Sequence, residues 1–426
     1  MTRHLRIALL ALLLAVPAAA LEIPALQADL HGFVDTRYGQ RLQDDARQKQ
    51  QSLGETRLQL ELHRIGERAT LQLKTDLYYD AVVDQDRLDL EEGRGWLDLR
   101  SANLLFTPHP LADVKLGRQI LTWGTGDLLF INDLFPKDWQ AFFSGRDVDY
   151  LKAPSDAVLV SLFPGWANID LVYTPRFDAD RFIRGERLSY YSPPLQRRAG
   201  RDDRLRVERP DEWFGDDEWA LRLSRNLAGY ELALYAYDGF WKSPAGFNPV
   251  TGRTTFPRLR SFGASLRGTL GQGIGSLEAG YYDSRDDRKG SDPLVPNSEW
   301  RALLGYEQEV VRDLTAALQY YLEAMQEYGA YRRTLPPGSS ARDELRHVLT
   351  LRLTRQLLSQ NLTLSLFNYW SPSDRDGYLR PLAEYKLTDA WQLSAGANLF
   401  WGAKKSTFFG QFADNSNVYA AIRYNF

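Results

Sequence analysis

Val418-Tyr-Ala-Ala-Ile-Arg-Tyr-Asn-Phe426 is the stretch on which the fold turns. Val418, Ala420, Ile422, Tyr424 and Phe426 fall on one side of an extended chain, and Tyr419, Ala421, Arg423 and Asn425 on the other. A period of two predicts a β-strand with one apolar face. Read backward from this tail, the same alternation recurs in segments of about ten residues. Leu58, Leu60 and Leu62 share a face; after a short turn at Ile65-Gly66-Glu67, Leu71, Leu73, Thr75 and Leu77 do so again, opposite Gln72, Lys74 and Asp76. A longer polar stretch, Asp80 to Arg94, follows before the next pair.

This rhythm of two strands, a tight turn and a long loop predicts strands near 30–39, 54–64, 68–79, 95–107, 112–124, 155–163, 168–175, 218–226, 230–240, 257–270, 274–284, 297–308, 314–325, 345–356, 361–370, 378–387, 390–401 and 417–426. Most segments carry charge on the face opposite their leucines, which a soluble sandwich would have to bury. A ring with lipid outside and water inside satisfies both faces, and hydrocarbon tolerates no open strand edge. No short repeat of the kind a solenoid requires is present. The expectation is therefore all-β: a transmembrane antiparallel up-and-down barrel of about 18 strands, with short periplasmic turns and long extracellular loops. The tail then resembles the closing strand of bacterial outer-membrane barrels, with Tyr424 and Phe426 as the signal for the barrel-assembly machinery.

The other end of the chain agrees. Arg3, His4 and Arg6 precede an apolar run from Ile7 to Val16, then Pro17 and Ala18-Ala19-Ala20. That pattern predicts an export signal over 1–20, leaving 21–426 as one barrel domain. The apolar run is too short to span a bilayer as a helix. Only about ten residues precede the first expected strand, which argues against a plug domain. The absence of cysteine excludes a disulfide scaffold and thiol chemistry. The 22 Tyr and 11 Trp suit membrane interfaces, and a net charge of -3 does not point to nucleic acid.

Alternation assigns Arg37, Arg57, Arg100, Arg222, Arg267, Arg301, Arg352 and Arg423 to the lumen, with Lys74, Arg380 and Lys386. It also assigns Asp35, Glu61, Asp76, Asp98, Asp170, Glu231, Glu278, Glu299, Glu307, Glu323 and Glu384. The two signs balance, so the walls predict ion pairs and weak ion selectivity. In 114–123, Leu116, Arg118 and Ile120 share parity, which predicts either a bulge near Gly117 or a face turned toward a folded-in loop.

The segment after that strand, Gly124 to Pro154, is too apolar to stand in water. Leu128, Leu129, Phe130, Ile131, Leu134, Phe135, Trp139, Phe142 and Phe143 require burial. An inward fold over 125–154 would narrow the pore and bring Asp127, Asp133, Lys137, Asp138, Arg146 and Asp147 to the solute, with Arg118 anchoring its base through Asp127 or Asp147; a lid over the mouth is the alternative. Leu116-Gly117-Arg118-Gln119, then Trp123-Gly124 and a long loop, is similar to the alginate-export family of outer-membrane barrels. The resemblance implies an eighteen-strand monomer with a loop-narrowed pore that passes an anionic polysaccharide. The balanced lumen departs from it, because an alginate path would carry a cation excess.

The arginine-rich loop 176–217 reads either as a recruiter of acidic glycan or lipopolysaccharide phosphate, or as a solvated mixed-charge loop. His31, His63, His109 and His347 are scattered and lack a partner serine, so no catalytic residue, metal site or cofactor is expected. The sequence thus predicts a Gram-negative outer-membrane channel for a hydrophilic or saccharide solute, and not an enzyme. Its partners would be outer-membrane lipid and lipopolysaccharide, together with an inner-membrane exporter if the direction is outward. A structural, adhesive or lipid-related barrel without an open pore, and a barrel-embedded hydrolase, are the alternatives.

Overall fold

The computed structural model describes residues 21–23, 28–83, 87–336 and 341–426. The expected export signal lies outside the described residues. Eighteen strands form one closed antiparallel barrel: β1 (Ala28–Arg41), β2 (Gln51–Ile65), β3 (Ala69–Asp80), β4 (Leu97–His109), β5 (Ala112–Gln119), β6 (Ser155–Leu162), β7 (Asn168–Thr174), β8 (Glu218–Leu227), β9 (Tyr230–Phe240), β10 (Arg258–Leu270), β11 (Gly273–Ser284), β12 (Glu299–Val311), β13 (Leu314–Met325), β14 (Leu345–Leu357), β15 (Leu362–Ser371), β16 (Asp376–Lys386), β17 (Trp391–Gly402) and β18 (Asn417–Asn425). Each pairs with its neighbour in sequence, and β1 returns to β18 from Phe33↔Asn425 to Arg41↔Asn417.

The alternation of the sequence is the cross-section of the wall. On β9, Leu232 and Leu234 are 40% and 57% exposed, whereas Ala233 and Tyr235 between and after them are 3% and 8% exposed. Trp219, Trp300, Trp370 and Trp401 form an outward row toward the long loops, and Tyr230, Tyr306, Tyr385 and Trp391 one toward the short turns. Two aromatic rows flanking an apolar band are what a barrel presents to a bilayer. The tight connections follow local chemistry: Ala228 and Gly229 both take positive φ (52° and 86°), as a two-residue hairpin turn demands.

Three expectations are corrected. β5 ends at Gln119 instead of continuing to residue 124, so the inward segment is 120–154. No register shift occurs at Gly117, although its φ is 107°. The bulge lies on β4, where Lys74 faces Ser101 but Thr75 faces Leu99. And the loop between β7 and β8 is largely buried over 177–192, while 193–196 and 211–215 stay exposed. Phe177 and Phe182 pack on Phe240 and Phe256, Arg181 grips Asp98 at 2.8 Å, and Arg187 is salt-bridged to Asp80. Two short helices interrupt the loops, α1 (Trp139–Ser144) and α2 (Tyr328–Thr334).

Candidate functional site

The segment 120–154 leaves the sheet after β5 and crosses the barrel interior before rejoining it at β6. Its apolar side chains dictate this path. Ile131, Phe142 and Phe143 are fully buried in one cluster with Tyr282, Tyr369, Tyr378 and Phe400, which point inward from β11, β15, β16 and β17. α1 starts where the Asp138 carboxylate accepts the Ala141 N–H at 2.7 Å and stops at Gly145, whose φ is 93°. A Cβ at Gly145 would run into the Tyr419 ring of the wall.

Polar ties fix the crossing. The buried Glu278 carboxylate on β11 accepts the Thr125 N–H at 2.7 Å and the Gly126 N–H at 3.1 Å on one oxygen, and the Asn132 N–H at 2.8 Å on the other. Leu128 is held at φ 58°, and its carbonyl accepts the Tyr369 hydroxyl at 2.6 Å. Asp127 pairs with Arg352 at 2.6 Å and Asp147 with Arg423 at 3.0 Å. Arg37 and Arg380 donate to the carbonyls of Gly145 and Arg146, and Arg100 to that of Lys152.

The crossing segment lies between two chambers. The one toward the long loops has a volume of 560 Å³ and is lined by Trp139, Trp241, Phe408, Arg342 and Arg346 among others. The one toward the short turns has a volume of 640 Å³; Lys74, Arg100, Lys152, Arg267, Arg352 and Arg423 line it, against Asp127, Asp133, Asp147 and Asp149. Leu128, Phe130 and Asp133 line both.

The residues expected at the constriction are distributed unevenly. Asp127, Asp133 and Asp147 line the inner chamber, and Lys137 and Asp133 the outer one. Lys137 is nonetheless buried and bonded to Asp133 at 2.9 Å. Asp138 caps α1 and Arg146 binds Glu55 at 2.6 Å; neither lines these chambers. Arg118 is not the anchor. It shares the outward parity of Leu116 and pairs with Asp156 on β6 at 2.8 Å. The 87–96 loop covers it, with Arg118 donating to the Leu90 carbonyl. A buried position under a loop is how this arginine avoids facing lipid.

Of the lumen arginines, Arg57 joins Glu55 and Asp76, Arg301 joins Glu299, Arg222 joins Glu231, and Arg37 and Arg423 share Asp35. Among the described residues, Arg267 and Lys152 form no salt bridge. Sequence reasoning missed Tyr150, whose ring lies 4.5 Å from Arg57 and 4.8 Å from Arg100. It also missed the anchoring role of Glu278. In the loop between β7 and β8, burial and the nearby Glu218 and Asp156 push the Asp178 carboxyl up to about 6, against the opposing pull of Lys242.

No protein-family model and no curated protein matches the chain. Solved structures do. OccD3 (OpdP) of Pseudomonas aeruginosa is 11% identical, with 96% of this chain and 93% of that one covered and a TM-score of 0.53. OccAB4 of Acinetobacter baumannii is 10% identical over 96% and 100% of the two chains, with a TM-score of 0.55. OccAB1 of the same organism is 9% identical over 96% and 98%, with a TM-score of 0.53. The similarity is one of fold: a closed antiparallel barrel over nearly the whole length.

Proposed function

We propose that this chain is an outer-membrane channel for passive passage of a hydrophilic solute, with 120–154 as its constriction. The observation that carries the reading is the crossing segment itself. A stretch of the chain's own sequence lies across the interior between two chambers that share Leu128, Phe130 and Asp133. A barrel serving only as a wall or an adhesin needs no such partition. The outward aromatic rows support an outer-membrane setting.

The solute we propose is an acidic saccharide. The inner chamber sets six cations against four carboxylates, and Arg267 and Lys152 enter it without a salt-bridge partner among the described residues. This supports the anionic class that the alginate-export resemblance implies. The channel reading also fits the histidines: His63 bonds to Glu61 at 2.7 Å, and His347 to the Tyr320 hydroxyl at 2.7 Å on the outer face.

Planar-bilayer recording of the purified protein tests both parts. Discrete conductance steps, a reversal potential near zero or slightly anion-selective in a salt gradient, and block by oligouronates but not by neutral oligosaccharides are expected. A folded barrel without conductance would favour the closed, structural alternative. Equal block by neutral and acidic oligosaccharides would remove the acidic class.

A further inference from the structure

The outer chamber differs from the inner one in chemistry. Leu128, Leu129, Phe130, Trp139 and Phe408 line it and are only partly buried or exposed. Trp139 stacks on Phe143 with 6.0 Å between centroids, while Phe130 and Phe408 stand edge-on to it at 6.1 and 6.5 Å. These rings wall an opening, whereas the inner chamber is lined largely by charged side chains. Apolar surface facing water is unfavourable until something apolar covers it.

Charge does not select here. Six cations and five carboxylates line the chamber. Arg346 lies over the Phe408 ring at 5.5 Å but is already bonded to Asp374 at 2.6 Å. Arg301 lies 3.9 Å over Tyr282 and is bonded to Glu299 at 2.5 Å. These cations extend the flat aromatic surface and bring no unbalanced charge. The volume of 560 Å³ falls within the roughly 300–1,000 Å³ of small-molecule sites.

We propose that the outer chamber is a binding site for a flat apolar ring, recognised by stacking and burial and not by its charge. An acidic saccharide that carries such a ring would then use both chambers, the ring in the outer one and the acid in the inner one. The inference rests on the channel reading only for the route by which the ring arrives.

Phenyl β-D-glucoside and methyl β-D-glucoside share a neutral sugar and differ in the ring. Isothermal titration calorimetry on the full-length protein in detergent should show the phenyl compound binding roughly tenfold or more tightly. Phe408→Ser and, separately, Leu129→Ser should each weaken the phenyl compound several-fold and leave the methyl compound unchanged. Phe408 is 44% exposed, so its replacement does not threaten the fold. Equal affinities for the two glucosides, no phenyl binding, or variants that bind like the parent would overturn the proposal. Bilayer recordings on the same preparation separate the two readings. Phenyl binding without conductance removes the channel and keeps the ring site, whereas conductance without phenyl binding removes the ring site alone.

Discussion

Glu278→Ala tests whether one wall residue holds the crossing segment in place. Its two oxygens accept five hydrogen bonds: from the Thr125 N–H and hydroxyl (2.7 and 3.0 Å), the Gly126 N–H (3.1 Å), and the Asn132 N–H and side-chain amide (2.8 and 3.0 Å). Alanine strands three backbone N–H groups. Each buried orphan costs about 1–3 kcal/mol, so the ceiling is about 3–9 kcal/mol. Thr125 and Gly126 border the inner chamber, where water can reach them, whereas Asn132 is 4% exposed. The effect therefore falls at the low end, about 3 kcal/mol, or roughly a hundredfold in the local opening equilibrium. Hydrogen exchange should show the amides of Thr125, Gly126 and Asn132 losing protection by about that factor, with the β10–β12 ladder amides unchanged. Single-channel conductance should rise in the same preparation. Glu278→Gln, which keeps one acceptor oxygen, should fall between. Unchanged protection at all three amides in Glu278→Ala would refute the reasoning and leave the apolar cluster and the arginine and tyrosine ties to hold the segment.

Deleting Leu128 to Phe143 should raise conductance and admit larger solutes in bilayer recordings; a correctly folded deletion with parental conductance would sink the constriction. Phe426→Asp should lower the amount of barrel that survives unheated electrophoresis as a compact band, because the Phe426 ring packs over Gly32 at the β1–β18 seam and Asp would put a charge there; normal yield would remove the proposed assembly role. Asp178 gives a pH dependence: its folded pKa is raised, so the contribution to loop stability is present below the ordinary carboxylate range and is lost as pH rises through about 6. The ceiling is about 3 kcal/mol, and Asp178→Asn should therefore be cut more slowly than the parent within 175–217 at pH 7.5 and alike at pH 4.5; identical rates at both values would contradict it.

The barrel was legible because a wall between lipid and water writes its cross-section into every second residue. Strand number followed from this alone, and most boundaries agree to within a few residues. The inward path of the segment after β5 was legible for a related reason, since its aromatics had no other apolar place to go. Pairing was not. Arg118 looked like an anchor because parity marks a face but says nothing about which loop covers it. Asp156, directly opposite it on β6, and the overlying 87–96 loop decided its partners. Glu278 was read as one lumen carboxylate among eleven, because acceptor-rich anchoring depends on backbone N–H groups that sequence does not display. The loop between β7 and β8 was misread because its arginines find their carboxylates on distant strands, at Asp80 and Asp98.

The crossing segment also bears on the seam where the two ends of the chain meet. Arg37 on β1 donates to the Gly145 carbonyl, Arg423 on β18 binds Asp147, and both arginines hold Asp35. The segment is therefore fastened to the first and last strands at once, from the inside. Parting these strands to open a slit toward the bilayer would break the ladder and these fastenings together. In the proposed channel, this fastening opposes sideways exit into the lipid and leaves the barrel axis as the route.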